Sequence, residues 1–181
     1  LDKKIKTLRN HGMSKNNNSN SEDGLWKYEM KEIGYNYRIT DLQCALGSSQ
    51  LKKLDDFVLK RREIAKIYDS AFKDLNHFTI PIVNNNSYHS YHIYPLKFKF
   101  KNTKISKPRF FKMMLSRNIR LQVHYIPVHT QPFYRENYGF KAGQFPVSED
   151  FYKYEFSIPI YPSLTKHEQD YTIENILEIC R

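Results

Sequence analysis

Apolar positions recur at three- and four-residue intervals over one long stretch of the chain and alternate over several short ones. From Thr40 to about Leu75 the recurrence is helical. Leu42, Ala45, Leu46, Leu51, Leu54, Val58, Ile64, Ile67, Tyr68, Ala71, Phe72 and Leu75 follow a 3.6-residue period. Thr40 and Gln43 form a Thr-x-x-Gln capping box at its start. A single helix of about 35 residues exceeds the usual globular range, so the stretch either bridges two domains or breaks near Gln50–Leu51. Upstream, Leu1 to Asn10 reads as the end of a helix, with Ile5 and Leu8 spaced i, i+3 and Gly12 as its stop.

Elsewhere the pattern is shorter. SKNNNSNSEDG (14–24) has no apolar anchor and reads as an exposed loop, and LWKYEMKEIGYNYR as a short extended segment. HFTIPIV reads as a strand ending near Asn84, and YHSYHIYPLKFKF (Tyr88 to Phe100) as a strand with Pro95 at an edge or bulge. SKPRFFKMMLSRN predicts a helix with Ser106 or Lys107 as cap and Pro108 in its first turn. NIRLQVHY (Asn118 to Tyr125) predicts the next strand, followed by a long aromatic loop, IPVHTQPFYRENYGFKAGQFP. SEDFYKYEFS predicts a short helix capped by Ser148, IPIYPSL an extended run, and Thr165 with Glu168 a second capping box opening a C-terminal helix. The order β-α-β followed by α makes the second part an α+β domain.

Composition adds bounds. The chain has 181 residues, 40% hydrophobic and 15% aromatic, which is enough for a packed core. The formal charge of +10 invites a nucleic-acid reading. The cations are scattered among acids, as in KKLDDFVLKRRE, so no nucleic-acid partner is expected, while an acidic small molecule stays compatible. Two cysteines, Cys44 and Cys180, give no disulfide framework and point to a reducing, cytoplasmic setting. No apolar run approaches the ~18 residues of a membrane span, so no membrane partner is expected. Leu1 in place of Met, opening in mid-helix, suggests a fragment of a longer protein.

The chemistry concentrates in few places. In GYNYRITDLQ (Gly34 to Gln43), Asn36 and Arg38 stand among tyrosines just outside a helix N-terminus. Free backbone N–H groups, an amide and a guanidinium suit a phosphate or carboxylate. A plain turn, with Gly34 at positive φ and Arg38 on a surface carboxylate, accounts for the same residues. His124 ends a predicted strand before a Pro127-containing loop, where sites are often built, although a structural histidine fits equally. His89 and His92, three apart in a predicted strand, would point to opposite faces and make a poor metal site. Neither G-x-G-x-x-G, a Walker pattern nor G-x-S-x-G is present.

LRNHGM, GYNYRITDLQCALGSSQLKKLD, KRREIAKIYDSAF, LQVHYIPVHTQPFY and FSIPIYPSLT, in that order, resemble the C-terminal half of the DegT/StrS-type nucleotide-sugar aminotransferases. The VHYIPVHTQPFY and YGF features look most like the branch that aminates C4 of a UDP-linked 4-keto-6-deoxy-hexosamine in pseudaminic acid biosynthesis. The resemblance implies an α/β fold-type-I pyridoxal 5'-phosphate enzyme. Residues 1–50 would be the tail of the large cofactor-binding domain, and residues 51–181 the small α+β domain entered through a long linking helix. It also implies a homodimer with sites shared between subunits, glutamate as amino donor and a UDP-sugar as acceptor. Asn36 matches the family asparagine that reaches the neighbouring subunit's cofactor phosphate and substrate, and Arg38 the arginine beside it, a substrate-binding residue near the substrate's phosphates or the site entrance. Gln122, Val123, His124 and Tyr125 match a loop that touches the nucleotide sugar. The Schiff-base lysine of the family precedes the segment matched by Leu1–Gly12, so no lysine here takes that role and the chain alone is expected to be inactive. A non-catalytic small-domain remnant acting as a binding module is the alternative.

Overall fold

A computed structural model describes residues 1–15, 28–100 and 105–180. The chain falls into two units, Leu1–Lys53 and Leu54–Arg181. In the first, helix α1 (Asp2–Leu8) leads into an antiparallel pair, β1 (Met13–Lys15) and β2 (Tyr28–Met30), with Met13 opposite Met30. The polar loop expected over 14–24 begins inside β1, and its remainder lies outside the described residues. Helix α2 (Asp41–Leu51) starts at the foreseen box: the Gln43 N–H donates to Thr40 Oγ1 at 3.4 Å and the Thr40 N–H to Gln43 Oε1 at 3.0 Å. Neither helix of this unit buries a residue, and Leu42, Leu46 and Leu51 are exposed although their spacing is helical. Cys44, on α2, is exposed too.

The long apolar period is interrupted at Lys52–Lys53, so the break, and not the continuous helix, is what forms. The second unit opens with α3 (Leu54–Phe72) and continues through β3 (Phe78–Thr79), β4 (Tyr94–Phe98), α4 (Lys107–Ser116), α5 (Pro132–Tyr138), α6 (Pro146–Tyr154), β5 (Glu155–Ile158) and α7 (Lys166–Cys180). The three strands form an antiparallel sheet in the order β3-β4-β5. Tyr94, Leu96 and Phe98 of β4 are fully buried together with Tyr68 and Phe72 of α3, Phe110 and Met114 of α4, Phe156 of β5 and Ile176 of α7. The Phe110 and Phe156 rings lie 4.8 Å apart, as do those of Phe78 and Phe98. Each large side chain so buried contributes on the order of 1.5–3 kcal/mol. Cys180 is buried at the edge of this cluster, and burial pushes its thiol up to about 12.

Several expectations change. Pro95 sits in the central strand, not at an edge, but β3 stops at Thr79 opposite Lys97, so that flank asks Pro95 for no donor. The strand predicted over 88–100 shrinks to Tyr94–Phe98. Ahead of it, Arg61 takes the carbonyls of Tyr91 (3.3 Å) and His92 (3.2 Å), and Arg62 that of His89 (3.0 Å). Those carbonyls therefore serve guanidinium groups in place of a ladder, and His89 and His92 lie in irregular backbone. The strand predicted over 118–125 is a single bridge, Gln122 to Ser157. The aromatic loop contains a 3-10 turn (Val128–Thr130) and α5. Helix α6 begins at Pro146, so Ser148 lies inside it; its N-cap is Phe145, with no side-chain cap, and Glu149 of its first turns accepts from the Gly143 and Phe145 N–H groups of the approaching loop. The residues EFS join β5 instead of extending that helix. At α7 the capping box forms as foreseen, with the Glu168 N–H 3.2 Å from Thr165 Oγ1 and Glu168 Oε2 accepting from the Thr165 N–H at 2.8 Å.

Candidate functional site

In the first unit the segment carrying Asn36 is clasped by the turn after α1. The Tyr35 N–H donates to the Leu8 carbonyl (2.7 Å), the His11 N–H to Tyr35 O (2.9 Å) and the Tyr37 N–H to Arg9 O (2.9 Å). Asn36 bridges to Asn10 in the same ladder. Gly34 is needed for proximity, not for positive φ: a Cβ there would lie 2.2 Å from the Gly12 nitrogen and 2.6 Å from Leu8 O. Gly12 does need its φ of +71°, and a Cβ on it would lie 1.7 Å from Glu32 O. Arg38 Nη1 donates to Asn10 Oδ1 at 2.6 Å, so its partner is an amide oxygen and not a surface carboxylate. The Tyr35 and Tyr37 rings stack at 4.8 Å. Asn36 is exposed, and its side-chain amide has no hydrogen-bond partner among the described residues. Asn10, which holds Arg38, was not among the candidates read from the sequence; its place in LRNHGM, 28 residues away, gave no local sign of the contact.

In the second unit Gln122, Val123, His124 and Tyr125 run beside β5. Gln122 exchanges both backbone hydrogen bonds with Ser157, at 3.2 and 2.7 Å. Two residues on, the ladder stops because the His124 N–H turns to a side chain, Glu155 Oε2, at 3.2 Å. Glu155 is fully buried; its Oε1 accepts from Ser157 Oγ at 2.7 Å, and Ser157 Oγ lies 2.8 Å from His124 Nδ1. Glu155 and Ser157, two apart on a strand, share a face. Val123 is half-buried, while Tyr125 is exposed with its ring edge-on to His124 at 4.8 Å. Lys107, nearby in charge terms, is held below the usual lysine range by burial, with Glu155 pulling the other way. The Glu-x-Ser spacing was the signal available for Glu155 and Ser157, but in sequence it merges with the preceding helical period.

His129 is buried, with Nε2 2.8 Å from Glu149 Oε1 and Phe145 packed at 4.7 Å. It latches the 3-10 turn to the start of α6. A cavity of about 580 Å³ between Arg117–Arg120 and the start of α7 holds Arg117, already paired with Glu178 and Asn175, and Glu168. Among the described residues no group of three or more His, Cys, Asp or Glu could hold a metal ion. No helix among them is long and apolar enough to cross a membrane.

The model of the DegT/DnrJ/EryC1/StrS aminotransferase family matches residues 1–177. The chain belongs to that family. It is similar to the spore coat polysaccharide biosynthesis protein SpsC of Bacillus subtilis strain 168, 37% identical over 98% of the chain and 46% of that protein. It is 35% identical to the UDP-4-amino-4,6-dideoxy-N-acetyl-beta-L-altrosamine transaminase of Campylobacter jejuni serotype O:2, over 97% of the chain and 44% of that protein. Among solved structures, Helicobacter pylori PseC, described as an aminotransferase of pseudoaminic acid biosynthesis, superposes with a TM-score of 0.82 at 32% identity, over 97% of this chain and 45% of that one. The chain thus spans less than half the length of these relatives. The fold is that of pyridoxal-phosphate-dependent sugar aminotransferases, mixing helices and sheet as expected.

Proposed function

We propose that this chain is part of a pyridoxal-phosphate-dependent nucleotide-sugar aminotransferase that moves the amino group of glutamate to C4 of a UDP-linked 4-keto-6-deoxy sugar. The observation that carries the reading is the match of the family model over residues 1–177, joined to 35% identity with the altrosamine transaminase. The structure is compatible at the residues this chain would contribute. Asn36 offers an open amide beside stacked tyrosines, suited to an anionic phosphate oxygen. Pyridoxal phosphate, when bound, supplies the electron sink for the transfer. In the proposal, Asn36 hydrogen-bonds the cofactor phosphate of the partner subunit in a homodimer. Arg38, through Asn10, keeps the clasp in register, and Gln122–Tyr125 face the nucleotide sugar. None of this chain's lysines is assigned the imine-forming role. Residues 1–50 are assigned to the large domain and 51–181 to the small one.

The test is amino transfer by the protein isolated from its native source, supplied with cofactor, glutamate and a UDP-linked 4-keto-6-deoxy-N-acetylhexosamine, with products followed by mass spectrometry. A UDP-4-amino sugar is the expected product. A native protein that folds, takes up no cofactor and makes no amino sugar overturns the reading in favour of a binding module.

A further inference from the structure

We infer that His124 presents a bare Nε2 lone pair to the ligand and recognises a hydroxyl or amide N–H of the sugar, with Ser157 and Glu155 as positioning residues that fix this tautomer. The inference rests on the nucleotide-sugar reading for the identity of the ligand, but not for the state of the ring.

The argument follows the protons. Glu155 is taken as the ionised carboxylate, which only accepts hydrogen bonds. Both oxygens of Glu155 are in use, Oε1 by the Ser157 hydroxyl at 2.7 Å and Oε2 by the His124 N–H at 3.2 Å. Serine has one proton, and it is directed to Glu155. At 2.8 Å from Nδ1, Ser157 Oγ must therefore accept, so Nδ1 carries the imidazole proton. In the neutral ring this leaves Nε2 as an acceptor. Among the described residues Nε2 has no hydrogen-bond partner, and His124 is only half-buried, so a ligand donor can reach that nitrogen. Glu155 is fully buried and Ser157 nearly so, which keeps water from re-aiming the relay, and the exposed Tyr125 ring beside His124 offers a wall for a sugar. Nucleotide phosphates, which offer acceptors, do not complement such a lone pair. Sugar hydroxyls and an N-acetyl N–H do.

The experiment is long-range 15N–1H correlation of the histidine rings in the intact native protein, with His124 assigned by its loss in His124→Gln. The expected state is protonated Nδ1 and unprotonated Nε2. Glu155→Gln reverses the relay: the new amide donates to Ser157, whose hydroxyl turns to Nδ1, and the proton moves to Nε2. Ser157→Ala mixes the two tautomers, and Ser157→Thr restores the original one. Should Glu155→Gln fail to fold, the serine pair still decides. Protonated Nε2 in the parent protein, or a pattern unmoved in Ser157→Ala, overturns the relay. Adding the UDP-4-amino sugar should shift Nε2, while UDP alone should not. A ligand whose own signals show binding but which leaves Nε2 unmoved, or a shift with UDP alone, overturns recognition of the sugar. No binding of any nucleotide sugar, with the tautomer as expected, overturns the proposed function and leaves the relay standing.

Discussion

Arg38 commits its guanidinium to Asn10, whereas the amide of Asn36, two residues away, has no partner among the described residues. The two neighbours therefore predict different phenotypes. Asn36→Ala should lower the pyridoxal phosphate retained after dialysis of the native protein while leaving its unfolding free energy within about 0.5 kcal/mol. Unchanged cofactor content would remove Asn36 from the site. Arg38→Ala should instead lower stability by about 1 kcal/mol, read from denaturant unfolding. His124→Ala should raise the KM for the sugar more than that for glutamate, and equal effects on both would exclude a sugar contact. Glu149 makes a pH prediction. Its carboxyl is held below the usual range first by the hydrogen bond from His129, then by the Gly143 and Phe145 N–H groups, against an opposing effect of burial. A depressed folded value means the ionised form is the stabilised one. Its contribution is complete above the unfolded value near 4.3 and is lost as pH falls through the lower folded value. Thermal unfolding of Glu149→Gln should lack that part of the acid decline seen in the parent.

At the scale of elements, what could be read locally was read well. Both capping boxes, at Thr40 and Thr165, are set by residues three apart, and Thr165→Ala should reduce stability by about 1 kcal/mol in denaturant unfolding. Pro108 and the α4 helix are local in the same way. What misled was side-chain capture of backbone groups from far away. Arg61 and Arg62 silence the 88–93 strand from some thirty residues off, Glu155 ends the Gln122 ladder, and α6 starts at Pro146 without the Ser148 cap, its Glu149 taking the Gly143 N–H instead. No periodicity reports such contacts. The same limit hid Asn10, Ser157 and Glu155, because each matters through a partner distant in sequence. Gly34 shows a subtler version: its turn was legible, but the reason for glycine, the approach of the Gly12 backbone, was not.

For the whole molecule, the two units differ in what they bury. Leu54–Arg181 encloses an aromatic core, whereas Leu1–Lys53 leaves Ile33 86% and Leu42 85% exposed. Residues 54–181 expressed alone should unfold cooperatively, and Phe110→Ala in that piece should lower its stability by about 3–5 kcal/mol. Residues 1–53 alone should show no cooperative transition, because apolar surface of that extent needs a cover; a sharp melt would refute this. The two thiols divide along the same line. Cys44 stands in the open on α2, while Cys180 is enclosed and its acidity suppressed, so a maleimide dye at neutral pH should attach once, and only to the first unit. The chain thus carries its own single labelling handle, a fluorescent reporter placed by nature on the unit that bears Asn36.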